Sequence, residues 1–194
     1  MAGPGQRLDA PFGDHFKGMH DWMFATQTGA AMIGEHGGSE GVDESFVAKS
    51  FEGIGAYILG RNIFGPSRGP WIDDGWTGWW GPNPPYHRPT FILTHHPRSS
   101  IAMDGGTTFH FVTGGVHDAL ARARAAAADD DVRVVGGAAT LRAFLSEGLI
   151  DTMHITMVPK LVGEGERLFE GPIPYKCIRT VPSGDVLHAE FERE

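Results

Sequence analysis

The stretch that decides the fold of this chain reads Val132-Arg-Val-Val-Gly-Gly-Ala-Ala-Thr140, followed by Leu141-Arg-Ala-Phe-Leu-Ser-Glu147. This order predicts a strand, a glycine-rich turn and a helix, and the apolar run Met153–Val158 predicts a further strand. Adjacent glycines let the backbone approach a ligand closely, and the N–H groups at a helix start favour an anion such as phosphate. A tight turn without a ligand explains Gly136 and Gly137 equally well, and residue types alone do not separate the two interpretations.

Three earlier strands are predicted to end in the same way, with glycine, polar or cationic residues directly after an apolar run. The strand ends are Gly60-Arg61-Asn62 after Ala56–Leu59, Thr94-His95-His96-Pro97-Arg98 after Pro89–Thr94, and Thr113-Gly114-Gly115 after Thr108–Val112. An amphipathic helix over Val116–Ala127 separates the last of these from Val132. Strands that alternate with helices indicate a parallel sheet, whose carboxyl ends gather ligands. Four such ends predict one long ligand that carries several phosphates, although neither a G-x-G-x-x-G fingerprint nor a P-loop is present.

Composition limits the class of protein. The 194 residues suit one domain, predicted over residues 1–194, and 41% hydrophobic residues are enough for a core. A net charge of −8 argues against nucleic acid or an anionic membrane as partner. No apolar run reaches the roughly 20 residues of a membrane span, and no signal sequence is evident. The single cysteine, Cys177, fits a reducing compartment and is expected to be buried. A cytoplasmic protein is therefore expected.

The remaining segments complete an α/β prediction. Helices are expected over Phe16–Phe24, with Asp14 as N-cap, and over Val42–Ile54. Residues 65–89 form a loop with four tryptophans that either cover the core or wall a pocket for a flat ring. Alternation in the last strand predicts a C-terminal antiparallel hairpin between residues 177 and 192. The spacing of the histidines matches no familiar metal site, so no metal is predicted; these residues are His15, His20 and His36.

The motifs together resemble the dihydrofolate reductase-like superfamily, and most of all stand-alone relatives of the riboflavin-biosynthesis (RibD C-terminal) reductase domain. The similarity is carried by Leu59–Phe64, Phe91–Pro97, Phe111–Gly115, Val134–Thr140 and Ile155–Phe169. It implies a three-layer fold with a mixed central sheet between helices, a homodimer, and NADPH as cofactor. By that likeness the phosphates lie near Gly60, Arg61, Asn62, Gly114, Gly115 and the Gly136, Gly137, Ala138, Ala139, Thr140 turn, and the adenosine end near Thr94, His95, His96 and Arg98.

The same likeness implies a first strand that ends in a Ser-x-Asp-Gly-type turn before a segment like Ala2–Gly5. That strand is expected in the middle of the sheet, and Met1 stands where it should already have ended, so we expect either that the start is assigned too late or that another segment fills its place. Its absence would leave backbone groups on both neighbouring strands without partners, at about 1–3 kcal/mol for each group that is buried.

The function that the resemblance implies is hydride transfer from NADPH to a small heterocyclic, pteridine- or pyrimidine-like substrate of unknown identity. Trp22, Trp79 and Trp80 are the expected substrate contacts, and no catalytic residue is assigned, although Asp21 provides a carboxylate on the early helix. Two alternatives stay open at this point: a true dihydrofolate reductase, and a non-catalytic dimeric ligand-binding protein that retains the fold.

Overall fold

The structure is a computed structural model that describes residues 5–13, 18–72, 75–163 and 165–194. Its helices are α1 (Asp21–Phe24), α2 (Gln27–Met32), α3 (Val42–Lys49), α4 (Arg61–Phe64), α5 (Gly115–Ala127) and α6 (Ala138–Ser146). Its strands are β1 (Ile54–Gly60), β2 (Pro89–Leu93), β3 (Ile101–Ala102), β4 (Thr108–Val112), β5 (Asp131–Gly136), β6 (Thr152–Met157), β7 (Tyr175–Pro182) and β8 (Leu187–Arg193). Helices alternate with strands in the middle of the chain, and an antiparallel section follows at its end. This order confirms the α/β prediction.

A five-stranded sheet with the order β3-β4-β2-β1-β5 forms the centre of the molecule. The pairs β4–β2, β2–β1 and β1–β5 are parallel, whereas the short β3 pairs with β4 in the antiparallel sense. The sheet is therefore mixed, as predicted. The parallel register aligns Gly60 with Leu93 and Leu93 with Val112, so the ends of these strands lie at one edge.

Both faces of the central sheet are covered, which explains why its strands are almost continuously apolar. On one face Ala56 and Ile58 of β1 pack with buried residues of α5 and with Phe144 of α6. On the other face Tyr57 and Leu59 pack with buried aromatic residues, and Trp71, Trp76 and Trp80 of the long loop lie against this second cluster. Successive β1 residues thus point to opposite faces of the sheet, as the pleat of a strand requires.

A separate three-stranded antiparallel sheet has the order β6-β8-β7. The predicted C-terminal hairpin is its β7–β8 pair, and β6 adds the third strand. Helix α3 lies against this sheet, where Lys49 forms an ion pair with Glu190 at 2.9 Å and Asp43 contacts His188. Within the described ranges, no strand precedes β1, and none pairs with the outer edge of β5 or of β6.

Two helix boundaries differ from the sequence prediction. The helix predicted to reach Ile54 ends at Lys49, because Gly53 has a positive φ of 65° and Ile54 already belongs to β1. The helix predicted over Phe16–Phe24 begins only at Asp21 among the described residues; Asp14, its predicted N-cap, lies outside them together with His15. Apolar spacing alone could not separate the end of α3 from the start of the next strand.

The prediction of a buried Cys177 was wrong, because this residue is exposed. It belongs to β7, which is an outer strand of the small sheet and has five consecutive exposed residues. None of the helices in the described ranges is long and apolar enough to cross a membrane.

The packing of α6 on the central sheet gives a stability prediction. Phe144 is completely buried in the first core cluster, so Phe144→Ala leaves a cavity and should cost about 3–5 kcal/mol of unfolding free energy in a urea titration. Leu161→Ala is the control, because Leu161 is fully exposed and its truncation should stay within about 0.5 kcal/mol. Equal costs for the two variants would contradict the assigned role of α6 in the core.

Candidate functional site

A cleft of about 1070 Å³ opens at the edge of the central sheet where β1, β2, β4 and β5 end. Its volume lies at the upper limit of ordinary small-molecule sites, as a long ligand requires. Eleven of the fourteen residues predicted to bind the cofactor line it: Gly60, Arg61, Asn62, Thr94, His95, His96, Gly115, Gly137, Ala138, Ala139 and Thr140. The parallel register therefore brings together segments that lie up to 80 residues apart in the sequence.

Two helices begin at this cleft, and neither has a side-chain cap. Helix α6 follows Gly137 and helix α5 follows Gly114, and neither of these N-cap glycines has a side chain that could accept a hydrogen bond from the first turn of its helix. Their first N–H groups and the positive ends of their dipoles are therefore available to an anion in the cleft.

A close approach between β1 and α6 shapes the floor of the cleft. A β-carbon on Gly60 would lie 2.3 Å from Thr140 Oγ1 and 3.3 Å from the Gly136 carbonyl oxygen. Gly136 has a φ of 132°, which disfavours any other residue, and its peptide bond to Gly137 is cis. The two glycines thus form a tight turn, and Gly137 also lines the cleft, so the tight turn is observed and the binding of a ligand there stays a prediction.

Arg61 is the cation at the centre of the cleft edge. Its guanidinium carbon lies 3.7 Å from the ring centre of Trp71, and Nη1 donates a long hydrogen bond of 3.5 Å to Thr94 Oγ1. Trp71 is itself fixed, because its Nε1 donates to the His96 carbonyl oxygen at 2.8 Å. The loop after β2 therefore holds Arg61 in place through Trp71.

The other side of the Arg61 guanidinium has no partner in the described part of the chain. Both Nε and Nη2 are buried and make no hydrogen bond there. Burial lowers the pKa of Arg61, and the nearby charges of Arg68 and Arg98 lower it further. An unpaired Nε–Nη2 edge in a cluster of cations matches a phosphate or carboxylate that binds through two oxygens.

Arg98, Gly114 and Gly136 are not among the lining residues. Arg98 Nη2 donates to the Trp76 carbonyl oxygen at 2.8 Å, and its guanidinium lies 5.0 Å from the ring centre of Trp71. Arg98 thus packs near the Trp71 ring, on which Arg61 stacks. Gly114 and Gly136 each come directly before a residue that lines the cleft.

The tryptophans predicted to contact substrate are not brought together. Trp79 packs edge-on against Trp76 with ring centres 4.9 Å apart, and Trp80 donates to the Tyr86 hydroxyl at 3.2 Å. Trp22 lies elsewhere, edge-on to His188 at 5.4 Å beside the small sheet. The loop tryptophans mainly cover the core, and Trp71 also supports Arg61, which lines the cleft. Asp21, the carboxylate suggested for the early helix, is exposed.

The sequence prediction missed several residues of the cleft. Gln6 donates from Nε2 to the Asn62 carbonyl oxygen at 2.8 Å, and Arg68 Nη2 donates to Gln6 Oε1 at 3.2 Å. Glu166 lines the far side and pairs with Arg142 at 3.6 Å. Only Arg68, in the turn Gly65-Pro-Ser-Arg-Gly69, carried a signal that could have been noticed.

The close approach at Gly60 gives the second prediction. Gly60→Ala should destabilise the protein by about 1–3 kcal/mol, because the new methyl group meets Thr140 Oγ1. Adding Thr140→Ala removes that hydroxyl and should restore most of the loss, as measured by urea titration of the single and double variants. Strictly additive losses in the double variant would show that β1 and α6 do not meet in this way.

Comparison with known proteins identifies a family and similar solved structures. The model of the RibD C-terminal domain family matches residues 21–184. A "putative riboflavin biosynthesis protein" from Shewanella sp. PV-4 is similar in structure, with a TM-score of 0.60 and 23% identity over 90% of this chain and 87% of that chain. RibD from Acinetobacter baumannii has a TM-score of 0.51 and 17% identity, over 84% of this chain and 53% of that chain. A comparison with curated proteins finds no match.

Both solved structures fall below 25% identity, so their similarity concerns the fold alone. The family match covers most of the sequence and includes every strand end that forms the cleft. On this evidence the chain belongs to the RibD C-terminal domain family.

Proposed function

We propose that this protein is an NADPH-dependent reductase that acts on a C=N or C=O group of a small pteridine- or pyrimidine-like heterocycle. The observation that carries the proposal is the unpaired Nε–Nη2 edge of Arg61, in a cleft onto which two uncapped helices open. Membership of the RibD C-terminal domain family and a relative named for riboflavin biosynthesis support a reductase with a heterocyclic substrate.

The residues present fit the phosphates of a dinucleotide. The N–H groups at the start of α6 suit a pyrophosphate, and the Gly136–Gly137 turn has no side chain that would prevent its approach. The Arg61 guanidinium lies across the same cleft and suits a second phosphate site. A cofactor with an additional phosphate uses both features, which favours NADPH over NADH.

The cofactor and the chain have separate roles in the proposed reaction. When bound, NADPH would supply the hydride. The chain positions the phosphates through Arg61 and the helix amides, and the wall made by Trp71 and His96 fixes the direction of the Arg61 guanidinium. Because Arg61 stacks on Trp71, its geometry exists before the ligand binds, and little side-chain entropy remains to be lost.

The third prediction is that Arg61→Ala weakens NADPH binding by roughly 10- to 100-fold, since a charge-assisted hydrogen-bond pair is worth about 1.5–3 kcal/mol. Arg61→Lys should recover only part of the affinity, because lysine keeps the charge but loses the planar two-donor edge. Binding is measured by fluorescence titration with NADPH and, in parallel, with NADH, while a urea titration checks that each variant is folded.

Arg124→Ala is the matched control, because Arg124 is an exposed arginine on α5 that does not line the cleft. Its dissociation constant for NADPH should stay within twofold of the wild-type value. The proposal would be overturned by an unchanged constant in a folded Arg61→Ala variant, or by the absence of saturable NADPH binding to the wild-type protein.

A further inference from the structure

A single carboxylate lines a cleft that otherwise suits anions. Among the described residues that line the cleft, Arg61 and Arg68 carry permanent positive charges, and Glu166 is the only acidic residue. It belongs to the segment 165–170, which follows β6, contains no helix or strand and is mostly exposed. A carboxylate repels the phosphates that the rest of the cleft suits, and the function proposed above does not use Glu166.

One arginine holds the segment 165–170 in place. Arg142 of α6 reaches Glu166 Oε2 with Nη2 at 3.6 Å and Glu170 Oε1 with Nε at 3.4 Å, and its Nη1 donates to the Arg167 carbonyl oxygen. Within the described part of the chain, residues 165–170 make no other hydrogen bond or ion pair. Arg142 therefore fixes where the Glu166 carboxylate lies.

Arg142 connects this segment to the helix whose start is proposed to bind the pyrophosphate. Ala139, Arg142 and Ala143 are three and four residues apart, so they share one face of α6. Ala139 and Ala143 line the cleft. Arg142 thus leaves the helix at the border of the cleft, and it keeps Glu166 on the side of the cleft that α6 forms.

The two arginines of the cleft belong to a different wall. Arg61 follows β1, and its guanidinium stacks on Trp71. Gln6 accepts a hydrogen bond from Arg68 and donates one to the carbonyl oxygen of the residue after Arg61. Among the described residues, no hydrogen bond or ion pair joins this wall to residues 165–170. The cleft therefore has cations on the side of β1 and a carboxylate on the side of α6.

The parts of a reduced dinucleotide differ in what they offer a carboxylate. Phosphates are anions that accept hydrogen bonds, so Glu166 repels them. A ribose with two free neighbouring hydroxyls offers two donors, which the two oxygens of a carboxylate can accept. In NADPH the adenosine ribose carries the additional phosphate, so only the nicotinamide ribose keeps both hydroxyls free.

We propose that Glu166 is a specificity-determining residue that accepts hydrogen bonds from the two hydroxyls of the nicotinamide ribose, and that Arg142 is its positioning residue. This inference rests on the proposed function. It assigns a direction to the cofactor: the additional phosphate lies toward Arg61, the pyrophosphate at the start of α6, and the nicotinamide toward Glu166. The substrate then lies beside the segment 165–170, since hydride transfer requires that it touch the nicotinamide.

The first test compares NADPH with adenosine 2′,5′-bisphosphate, which keeps the additional phosphate but lacks the nicotinamide ribose. Glu166→Gln keeps the shape of the side chain and removes its charge. It should weaken NADPH binding by roughly 3- to 10-fold in calorimetric titrations, because a hydrogen bond to an ionised group is about twice as strong as a neutral one. Its affinity for the bisphosphate should not fall, because only a repulsion is lost.

Glu170→Gln is the matched control, because Glu170 also pairs with Arg142 but does not line the cleft. Its affinities for both ligands should stay within twofold of the wild-type values. A Glu166→Gln variant that binds NADPH as tightly as the wild-type protein, or more tightly, would overturn the inference and leave the proposed function intact. The absence of saturable NADPH binding to the wild-type protein would overturn the proposed function, and the inference with it.

The second test concerns Arg142 and begins without any ligand. Trypsin should cleave after Arg167 roughly threefold faster, or more, in Arg142→Ala, because Arg142 makes every hydrogen bond and ion pair of residues 165–170 within the described ranges. Saturating NADPH should slow this cleavage in the wild-type protein, since Glu166 is then engaged.

The same variant separates positioning from a general structural role. Arg142→Ala should weaken NADPH binding by roughly 3- to 10-fold and leave the affinity for the bisphosphate within twofold of the wild-type value. Arg142→Lys keeps the charge and should recover part of the NADPH affinity. Unchanged cleavage after Arg167 in Arg142→Ala, or equal losses for the two ligands, would overturn the positioning role of Arg142.

Discussion

Parallel pairing of β4, β2, β1 and β5 is the constraint on which the candidate site depends. The register sets Gly60 beside Leu93 and Leu93 beside Val112, so the polar turns that follow these strands meet at one edge. A parallel strand requires a crossover, so α5, which connects β4 to β5, starts at that same edge. Helix α6 also starts there, because it follows the end of β5. The cleft, its two helix termini and its cations are consequences of this one arrangement.

The position of Arg61 also follows from this arrangement of strands. It is the first residue after β1, and its guanidinium stacks on the Trp71 ring. Trp71 in turn is held by the His96 carbonyl oxygen at the end of β2. The long loop therefore has two roles: Trp71, Trp76 and Trp80 cover the core, and Trp71 also holds the Arg61 guanidinium at the edge of the cleft.

The fold could be predicted from the sequence because its strands are local apolar runs that end in recognisable turns. The strand at Thr108–Val112 was predicted with its observed bounds, and the helix after it with a start only one residue late. The strand ends also identified most of the cleft, since shared sequence character reflected a shared place in the sheet. The end of α3 was missed because Phe51 and Ile54 continue its apolar spacing beyond the helix, and Gly53 alone marked the change.

The parts that could not be predicted depend on contacts between distant residues. Asp43 and His188 are 145 residues apart, and no local pattern relates a carboxylate on a helix to an imidazole on the last strand. Trp79 and Trp80 do not line the cleft, because neighbouring tryptophans in a loop carry no information about which ring approaches it, and their contact with a substrate stays a prediction. Cys177 was misplaced because an apolar run does not reveal that its strand is the outer one.

The central claim is that the cleft at the Gly136–Gly137 turn binds the phosphates of NADPH. A crystal structure of the protein grown with saturating NADPH tests it most directly. The account predicts a pyrophosphate at the start of α6 and a phosphate within hydrogen-bonding distance of Arg61 Nε and Nη2. Electron density for NADPH at another surface, or a cleft without density at saturating NADPH, would contradict it.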